Sequence, residues 1–211
     1  MLRSAAALRR AGGARRSLAR LKGAGSCRRT AVTVASRTLG LSEDQLAFQE
    51  MADDFGQEQL APHAEEWDEH KIFPKDVLRE AAALGFGGIF VDPEHGGTGL
   101  QRLDGVVIFE ALARGCTATT SYLTIHNMCG WMIDTFGNDE QKARWLPDLC
   151  TLERFTSYCL TEPNSGSDAA SLRTTAVRDG DDFVLNGSKA FISGASQTDL
   201  LLVMARTGEQ E

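Results

Sequence analysis

Hydroxyl, carboxylate and glycine residues are concentrated in residues 159–171, which read C-L-T-E-P-N-S-G-S-D-A-A-S and follow an apolar, strand-like run. Gly166 can adopt a positive φ and lets a ligand approach the main chain closely. Thr161, Ser165 and Ser167 add hydroxyl donors beside backbone N–H groups that a turn leaves free. This composition predicts a cradle for a phosphate group or for the polar edge of a heteroaromatic cofactor. The alternative is an ordinary Ser/Gly-rich surface loop.

A second segment, residues 186–195, reads N-G-S-K-A-F-I-S-G-A and precedes an apolar run. We predict a strand over residues 188–192. Alternate residues of a strand face the same side, so Phe191 and Ser193 could contact one ligand together. Taken alone, the segment leaves open the alternative that Phe191 belongs to the core and Ser193 to a turn.

Both segments resemble the acyl-CoA dehydrogenase family. Residues 159–171 match each specified position of the family's flavin-contacting signature, and residues 186–195 match the segment that packs against the flavin ring. The resemblance implies FAD as cofactor, a short branched acyl-CoA thioester as substrate and electron-transferring flavoprotein as electron acceptor. It also implies a homotetramer of full-length chains. In such enzymes the flavin supplies the redox chemistry and the protein orients and polarises the thioester.

The resemblance also implies a role for individual residues. The Thr161 hydroxyl contacts the flavin, Phe191 packs against its ring and Ser193 contacts its reactive edge. Ser167 touches both FAD and the acyl-CoA substrate. The residues implied to bind FAD are Tyr158, Cys159, Leu160, Thr161, Glu162, Pro163, Asn164, Ser165, Gly166, Ser167, Phe191, Ile192 and Ser193.

We expect no catalytic residue in this chain. The resemblance places the glutamate that removes the α-proton in a C-terminal helical domain, and we expect the 211-residue sequence to lack that domain. Two alternatives remain. The chain could be a non-catalytic form with weak FAD or subunit binding, or it could belong to another branch, such as a different short-branched-chain dehydrogenase or an acyl-CoA oxidase.

Other residues could carry acid–base chemistry, but a structural role is preferred for each. His126 lies in an H-x-x-x-x-W pattern on a predicted helix, and no partnered nucleophile is indicated nearby, which favours a helix-packing histidine. Glu162 and Asp168 could form an acid–base pair. Since Glu162 precedes a proline, both are more typical of hydrogen bonds that fix a loop.

Basic residues are concentrated at the N-terminus. Residues 1–42 contain ten of the 22 Lys and Arg residues and no acidic residue, whereas the remainder contains 12 basic and 29 acidic residues. This composition is typical of a mitochondrial presequence, predicted here over residues 1–38, and it favours a location in the mitochondrial matrix. The alternative, a nucleic-acid arm, is disfavoured because the acidic remainder would repel phosphates.

Composition also limits the class of protein. With 42% hydrophobic and 24% charged residues, the chain is typical of globular proteins. No apolar run reaches the roughly 18 residues needed for a membrane span, so we expect no stable membrane insertion. The five cysteines are dispersed without C-x-x-C spacing, which predicts reduced thiols and no metal site.

Helical elements must precede the two motif segments. A capping box at Ser42 predicts a helix that ends before Pro62, and a second helix is predicted from Pro74 to Gly85. Helical periodicity returns over residues 107–112, closed by Gly115, and again over residues 123–136, closed by Gly137; a further helix is predicted from Asn138 to just before Pro147. A dinucleotide-binding fold is disfavoured because no G-x-G-x-x-G follows a strand.

After residue 153 the apolar period changes to two, with turn signals at residues 179–180 and 186–187. We predict strands over residues 174–178, 183–185, 188–192 and 199–205. The predicted fold class is therefore α+β, a helical bundle over residues 40–152 followed by an incomplete middle domain over residues 153–211. The resemblance implies that this second part begins an antiparallel β-barrel.

Overall fold

The computed structural model describes residues 40–208. The predicted targeting segment, residues 1–38, lies outside this range. The helices and strands of the described part are α1 (Glu43–Phe55), α2 (Ala64–Glu69), α3 (Lys75–Ala83), α4 (Arg102–Ala113), α5 (Thr117–Phe136), α6 (Asp139–Cys150), β1 (Thr156–Cys159), β2 (Thr175–Asp179), β3 (Asp182–Asn186) and β4 (Leu200–Val203).

Capping residues fix the helix starts where the sequence predicts them. The backbone N–H of Gln45 donates to Ser42 Oγ at 3.2 Å, and the Ser42 N–H donates to Gln45 Oε1 at 3.0 Å. Asn138 and Gln141 form the same reciprocal pair at the start of α6. Each pair satisfies two backbone donors that the first helical turn leaves free.

The first helix reaches Leu60, before Pro62, as predicted, but its last turn is π-helical, and helix α6 extends beyond its predicted end. The first helix continues beyond Phe55 as a π-helical turn over Gly56–Leu60 before the chain reaches Pro62. Helix α6 runs through Pro147 to Cys150. Pro147 removes one backbone donor near the end of the helix, and the hydrogen bond from the Thr151 N–H to the Pro147 carbonyl helps to close the last turn.

The helices bury one large apolar core. Helices α1, α3, α4 and α5 contribute to it, together with the short segment before β1. Its fully or nearly fully buried residues include Ala52, Leu78, Ile89, Ile108, Ala111, Leu112, Leu152 and Phe155. The apolar stripes predicted from helical spacing therefore face inward, as an amphipathic helix requires.

The strands form two separate two-stranded sheets. Strands β2 and β3 form the predicted antiparallel hairpin, which turns at Gly180 with φ 63°. Strand β1 pairs in parallel with β4, in a register that aligns Thr156 with Leu200. The expectation of antiparallel pairing is therefore wrong for this pair. The barrel stays a prediction, since the strands of residues 40–208 form only these two sheets.

Residues 188–192 do not form the predicted strand. Gly187 lies so close to Thr174 that a Cβ atom there would come within 2.4 Å of Thr174 Oγ1. Phe191 adopts φ 57°, which is incompatible with an extended strand. The chain thus leaves the hairpin, bends twice and reaches β4 as irregular structure.

Between residues 40 and 208, no helix combines the length and apolar content needed to cross a membrane.

Candidate functional site

Strand β1 supports the first motif segment and is fixed to helix α5. Tyr122 Oη donates to the Thr156 carbonyl at 3.1 Å. The Thr156 N–H points at His126 Nδ1 at 3.4 Å, and His126 Nε2 lies 2.9 Å from the Leu149 carbonyl, to which it can donate. The loop that follows β1 therefore leaves from a strand held by the helical core.

His126 itself is a packing residue, as preferred from the sequence. Its side chain is fully buried, and burial lowers the pKa of the imidazole to about 4, although the bond to Leu149 acts in the opposite direction. The histidine is neutral at pH 7 and uses both ring nitrogens for contacts with the main chain.

Glu162 is the centre of the first motif segment. Its Oε1 accepts from Lys189 Nζ at 2.8 Å, from Thr174 Oγ1 at 2.6 Å and from the Thr174 N–H at 2.9 Å. Its Oε2 accepts from the Arg173 N–H at 2.7 Å. Lys189 first, then Thr174 and Arg173, hold the pKa of the Glu162 carboxyl well below its ordinary value. A carboxylate with four donors is a poor base, so the acid–base alternative for Glu162 is disfavoured.

A tight turn follows Glu162. The Glu162 N–H donates to the Ser165 carbonyl at 2.9 Å, and the Ser165 N–H returns a bond to the Glu162 carbonyl at 3.1 Å. Ser165 is buried, and its hydroxyl donates to the Asp168 carbonyl at 2.8 Å. This serine therefore stabilises the turn, and its hydroxyl proton is already donated to a protein acceptor.

The apex of the loop is open. Gly166 and Ser167 are exposed, and no acceptor within residues 40–208 takes their backbone N–H groups. A Cβ atom at Gly166 would meet no atom within 4 Å. Two adjacent free donors thus lie beside an unobstructed glycine, although Gly166 does not adopt the positive φ that the sequence suggested. The role of this apex as a ligand cradle stays a prediction.

Direct hydrogen bonds join the two motif segments. The Ala190 N–H donates to the Thr161 carbonyl at 2.8 Å. Further along, Ser157 Oγ on β1 donates to the Ser193 carbonyl at 2.7 Å. Residues that lie about thirty positions apart in sequence are thus adjacent in the fold.

Phe191 is 93% exposed and has a left-handed backbone conformation. The alternative that it is a core residue is therefore wrong, and so is the premise that Phe191 and Ser193 alternate along a strand. Ser193 lies in an exposed turn and Ile192 is half-buried. An exposed aromatic side chain on a strained backbone is typical of a binding site.

The remaining predicted site residues differ in accessibility. Cys159 is buried, burial raises the pKa of its thiol, and its carbonyl accepts from the Met204 N–H at 3.0 Å. Tyr158, Leu160 and Thr161 are partly exposed, whereas Pro163 and Asn164 are exposed beside the apex. The side chain of Cys159 is thus the one least able to reach a ligand.

Sequence reasoning missed Lys189 and Thr174. Both side chains bond to Glu162, but neither belongs to a pattern with ligand-binding chemistry of its own. One signal could have pointed to Lys189. It is the single basic residue of the second motif segment, and the first motif segment contains the carboxylate Glu162.

The part of the chain that the structure describes contains no cluster of three or more histidine, cysteine or acidic side chains able to hold a metal ion. Cys116, Cys129, Cys150 and Cys159 are free and buried, and Cys27 lies outside the described residues.

Two family models match the sequence. The model for the acyl-CoA dehydrogenase N-terminal domain matches residues 42–153, and that for the acyl-CoA dehydrogenase middle domain matches residues 157–211. The chain belongs to the acyl-CoA dehydrogenase family. Members of this family are oxidoreductases that use FAD.

Two relatives of this acyl-CoA dehydrogenase chain are mitochondrial isobutyryl-CoA dehydrogenases. The protein of Bos taurus is 55% identical over 205 residues, which cover 93% of this chain and 49% of the relative. The protein of Dictyostelium discoideum is 54% identical over 178 residues, which cover 84% of this chain and 43% of the relative. The chain therefore spans about half the length of the relatives it matches.

Solved structures show the same fold. Glutaryl-CoA dehydrogenase from Mycobacterium smegmatis matches with a TM-score of 0.78 and 31% identity, over 83% of this chain and 46% of that protein. A structure of such an enzyme from the same organism in complex with FADH2 matches with a TM-score of 0.75 and 30% identity, over 79% of this chain and 43% of that protein.

Proposed function

We propose that residues 158–167 and 191–193 of this acyl-CoA dehydrogenase chain bind FAD. The observation that carries the proposal is the 2.8 Å bond from the Ala190 N–H to the Thr161 carbonyl, because it brings the two motif segments to one place. The complex of the similar glutaryl-CoA dehydrogenase with FADH2 supports the choice of ligand.

The accessible groups fit parts of FAD. The free N–H groups of Gly166 and Ser167 suit the anionic pyrophosphate, since paired backbone donors bind phosphate oxygens well. The exposed ring of Phe191 suits a flat, largely apolar ring system. The hydroxyls of Thr161 and Ser193 would donate to the polar edge of that ring system, and Ser167 would also contact the acyl-CoA.

The substrate that we propose is isobutyryl-CoA, which would be oxidised to methacrylyl-CoA in valine catabolism, part of branched-chain amino acid catabolism. The 55% identity with the mitochondrial isobutyryl-CoA dehydrogenase of Bos taurus supports this choice and a location in the mitochondrial matrix after removal of the transit peptide. FAD held by the residues of the proposed site would supply the hydride acceptor for oxidation at the β-carbon of the thioester. The proposed electron acceptor is electron-transferring flavoprotein, and the proposed assembly is a homotetramer.

The reaction also requires a base for the α-proton. Glu162 is unsuitable because four donors engage its two oxygens and hold it ionised. In keeping with what the family resemblance implies, we place the base outside residues 40–208. The role of the residues in the described part is then to bind the cofactor and orient the thioester.

FAD binding tests the site directly. The full 211-residue chain is titrated with FAD and with FMN while flavin fluorescence is followed. Saturable binding of FAD that exceeds the binding of FMN is expected, because FMN lacks the pyrophosphate that the loop apex would hold. Equal binding of FMN, or no binding of FAD, would contradict the assignment.

Turnover tests the substrate and the position of the base. The chain is fused to the C-terminal half of the Bos taurus relative, and dye reduction is measured with isobutyryl-CoA, 2-methylbutyryl-CoA and butyryl-CoA. The fusion is expected to prefer isobutyryl-CoA, and the unfused chain is expected to be inactive. Turnover by the unfused chain would place the base within it, while rapid oxygen consumption by the fusion would indicate an oxidase.

A further inference from the structure

Lys189 occupies the gap between the two motif segments. Its side chain is only 11% exposed, and its ammonium group donates to the Leu160 carbonyl at 3.0 Å and to Glu162 Oε1 at 2.8 Å. One cation from the second segment thus bonds to residues on both sides of Thr161. The flexible lysine stem is held in one conformation by these two acceptors.

Glu162 extends this connection to a third segment. Its side chain is 7% exposed and also accepts from the Arg173 and Thr174 backbone, directly before β2. The carboxylate therefore links the loop after β1, the start of the hairpin and the segment containing Lys189. We call this pair, Lys189 with Glu162, the clamp.

The energetics of the clamp indicate that it fixes the relative position of the segments rather than stabilising the fold. Burying an ion pair carries a desolvation cost that often cancels the attraction between the charges, so such a pair is weak evidence for stability. Removing one partner is different because it leaves the other charge largely buried and without its counter-charge, although Glu162 keeps its donors from Arg173 and Thr174. The clamp would consequently resist any change in the separation of the segments it joins.

We propose that Lys189 and Glu162 are positioning residues that hold the loop apex and Phe191 at the separation required by FAD. The proposal rests on the FAD site proposed above. Neither side chain needs to touch the cofactor, so Glu162 contributes to the proposed site of residues 158–167 by holding its neighbours in place. Preorganised contacts bind a ligand more tightly because the ordering cost is met in the free protein.

Substitution of Lys189 tests the clamp in the full chain. Lys189→Met keeps the apolar stem and removes the charge, so it is expected to weaken FAD binding by roughly tenfold or more, because the two segments must then be ordered when FAD binds. Lys189→Arg retains donors for both acceptors and is expected to restore most of the affinity. Lys71→Met is the matched control, since Lys71 is exposed. Its FAD affinity should equal that of the parent chain.

A double-mutant cycle separates positioning from simple loss of charge. Glu162→Gln and Lys189→Met are combined, and FAD affinity is measured for the single and double variants. If the two residues act as one unit, the double variant binds FAD no more weakly than the worse single variant. Additive losses would show that the residues act independently and would overturn the proposal.

Amide hydrogen exchange of the FAD-free chain gives a readout that does not depend on the cofactor. In Lys189→Met the Ala190 amide is expected to lose protection, whereas the amides that pair β2 with β3 keep theirs. An Ala190 amide that stays protected overturns the clamp even if FAD binds. If the parent chain binds no FAD while exchange changes as expected, the clamp is retained as a structural link, and both the FAD site and the positioning role are overturned.

Discussion

The buried imidazole of His126 makes stability depend on pH. The pKa of this side chain is lowered from 6.5 to about 4 in the folded chain. Between these values the unfolded chain binds a proton that the folded chain does not bind, so the free energy of unfolding falls as pH falls. The contribution is complete above pH 6.5 and is lost progressively toward pH 4.

We expect His126 to account for a loss of about 3 kcal/mol in the free energy of unfolding between pH 7 and pH 4. Urea denaturation of the parent chain and of His126→Gln across this range measures it. The glutamine retains a donor for the Leu149 carbonyl but does not titrate, so its stability should vary less with pH. Equal pH slopes for the two proteins would refute the assignment.

Glu162 makes the free energy of unfolding depend on pH in a lower range than His126 does. Its pKa is depressed in the folded chain from an ordinary value of 4.5, so its stabilising contribution is present above pH 4.5 and is lost as the pH falls below that value. Glu162→Gln should therefore flatten the acid side of the stability curve below pH 4.5 and leave the slope between pH 5 and 7 unchanged. A changed slope in the higher range would show that another group is coupled to it.

Substitution of Gly166 should weaken ligand binding without affecting folding. A methyl group at this position meets no protein atom within 4 Å, so Gly166→Ala should leave the free energy of unfolding nearly unchanged. The same methyl group would occupy space that we assign to FAD, and a loss of roughly tenfold or more in affinity is expected, about 1.4 kcal/mol. Gly208→Ala, also in open space, is the control for a glycine outside the site.

At the level of elements, Gly187 permits the close approach of the second segment to Thr174. A Cβ atom there would lie 2.4 Å from Thr174 Oγ1 and 2.7 Å from its Cα. Gly187→Ala should therefore destabilise the chain by about 1–3 kcal/mol, as overpacking does, and weaken FAD binding through Thr174. Chemical denaturation and FAD titration measure the two effects. Unchanged values would show that the backbone relaxes freely there.

The elements also show what the sequence could predict. Helix starts at Ser42 and Asn138 followed from local capping, and the β2–β3 hairpin followed from its turn. The parallel pairing of β1 with β4 depends on contacts between distant parts of the chain, which local patterns do not encode. The π-helical turn after α1 was missed for the same reason, since tertiary packing overrides helix periodicity.

In the candidate site, too, locally determined features could be predicted, and features that depend on distant contacts could not. The turn at Gly166 and Ser167 was foreseen because residue type and spacing determine it locally, but the positive φ suggested for Gly166 is not found. The left-handed conformation of Phe191 was not foreseen, because a strand favours aromatic residues and the pattern suggested one. Lys189 was missed because its role depends on the Glu162 carboxylate, which only folding brings into contact with it.

At the level of the whole molecule, the β2–β3 hairpin exposes apolar side chains on both faces. Val177, Phe183, Val184 and Leu185 are 53–62% exposed. Contiguous apolar surface of this kind promotes association, whereas isolated apolar residues do not.

Val184→Lys should therefore reduce self-association of the 211-residue chain in sedimentation velocity and reduce binding of a hydrophobic dye. Val106→Lys, on helix α4 and similarly exposed at 58%, should change either measurement less. Equal effects of the two substitutions would show that general net charge, rather than the hairpin, controls association.

The parallel pairing of β1 with β4 also determines when the site can be completed during synthesis. The six α-helices of residues 40–208 leave the ribosome before β1, so the apolar core can close early, whereas β1 has no partner in this range until β4 is translated. Pairing over such a sequence separation is slow, and an unpaired edge is prone to aggregation in the meantime. A nascent chain arrested before Leu200 would thus carry a folded helical domain with an unformed cofactor cradle, and it would be a natural client for chaperones.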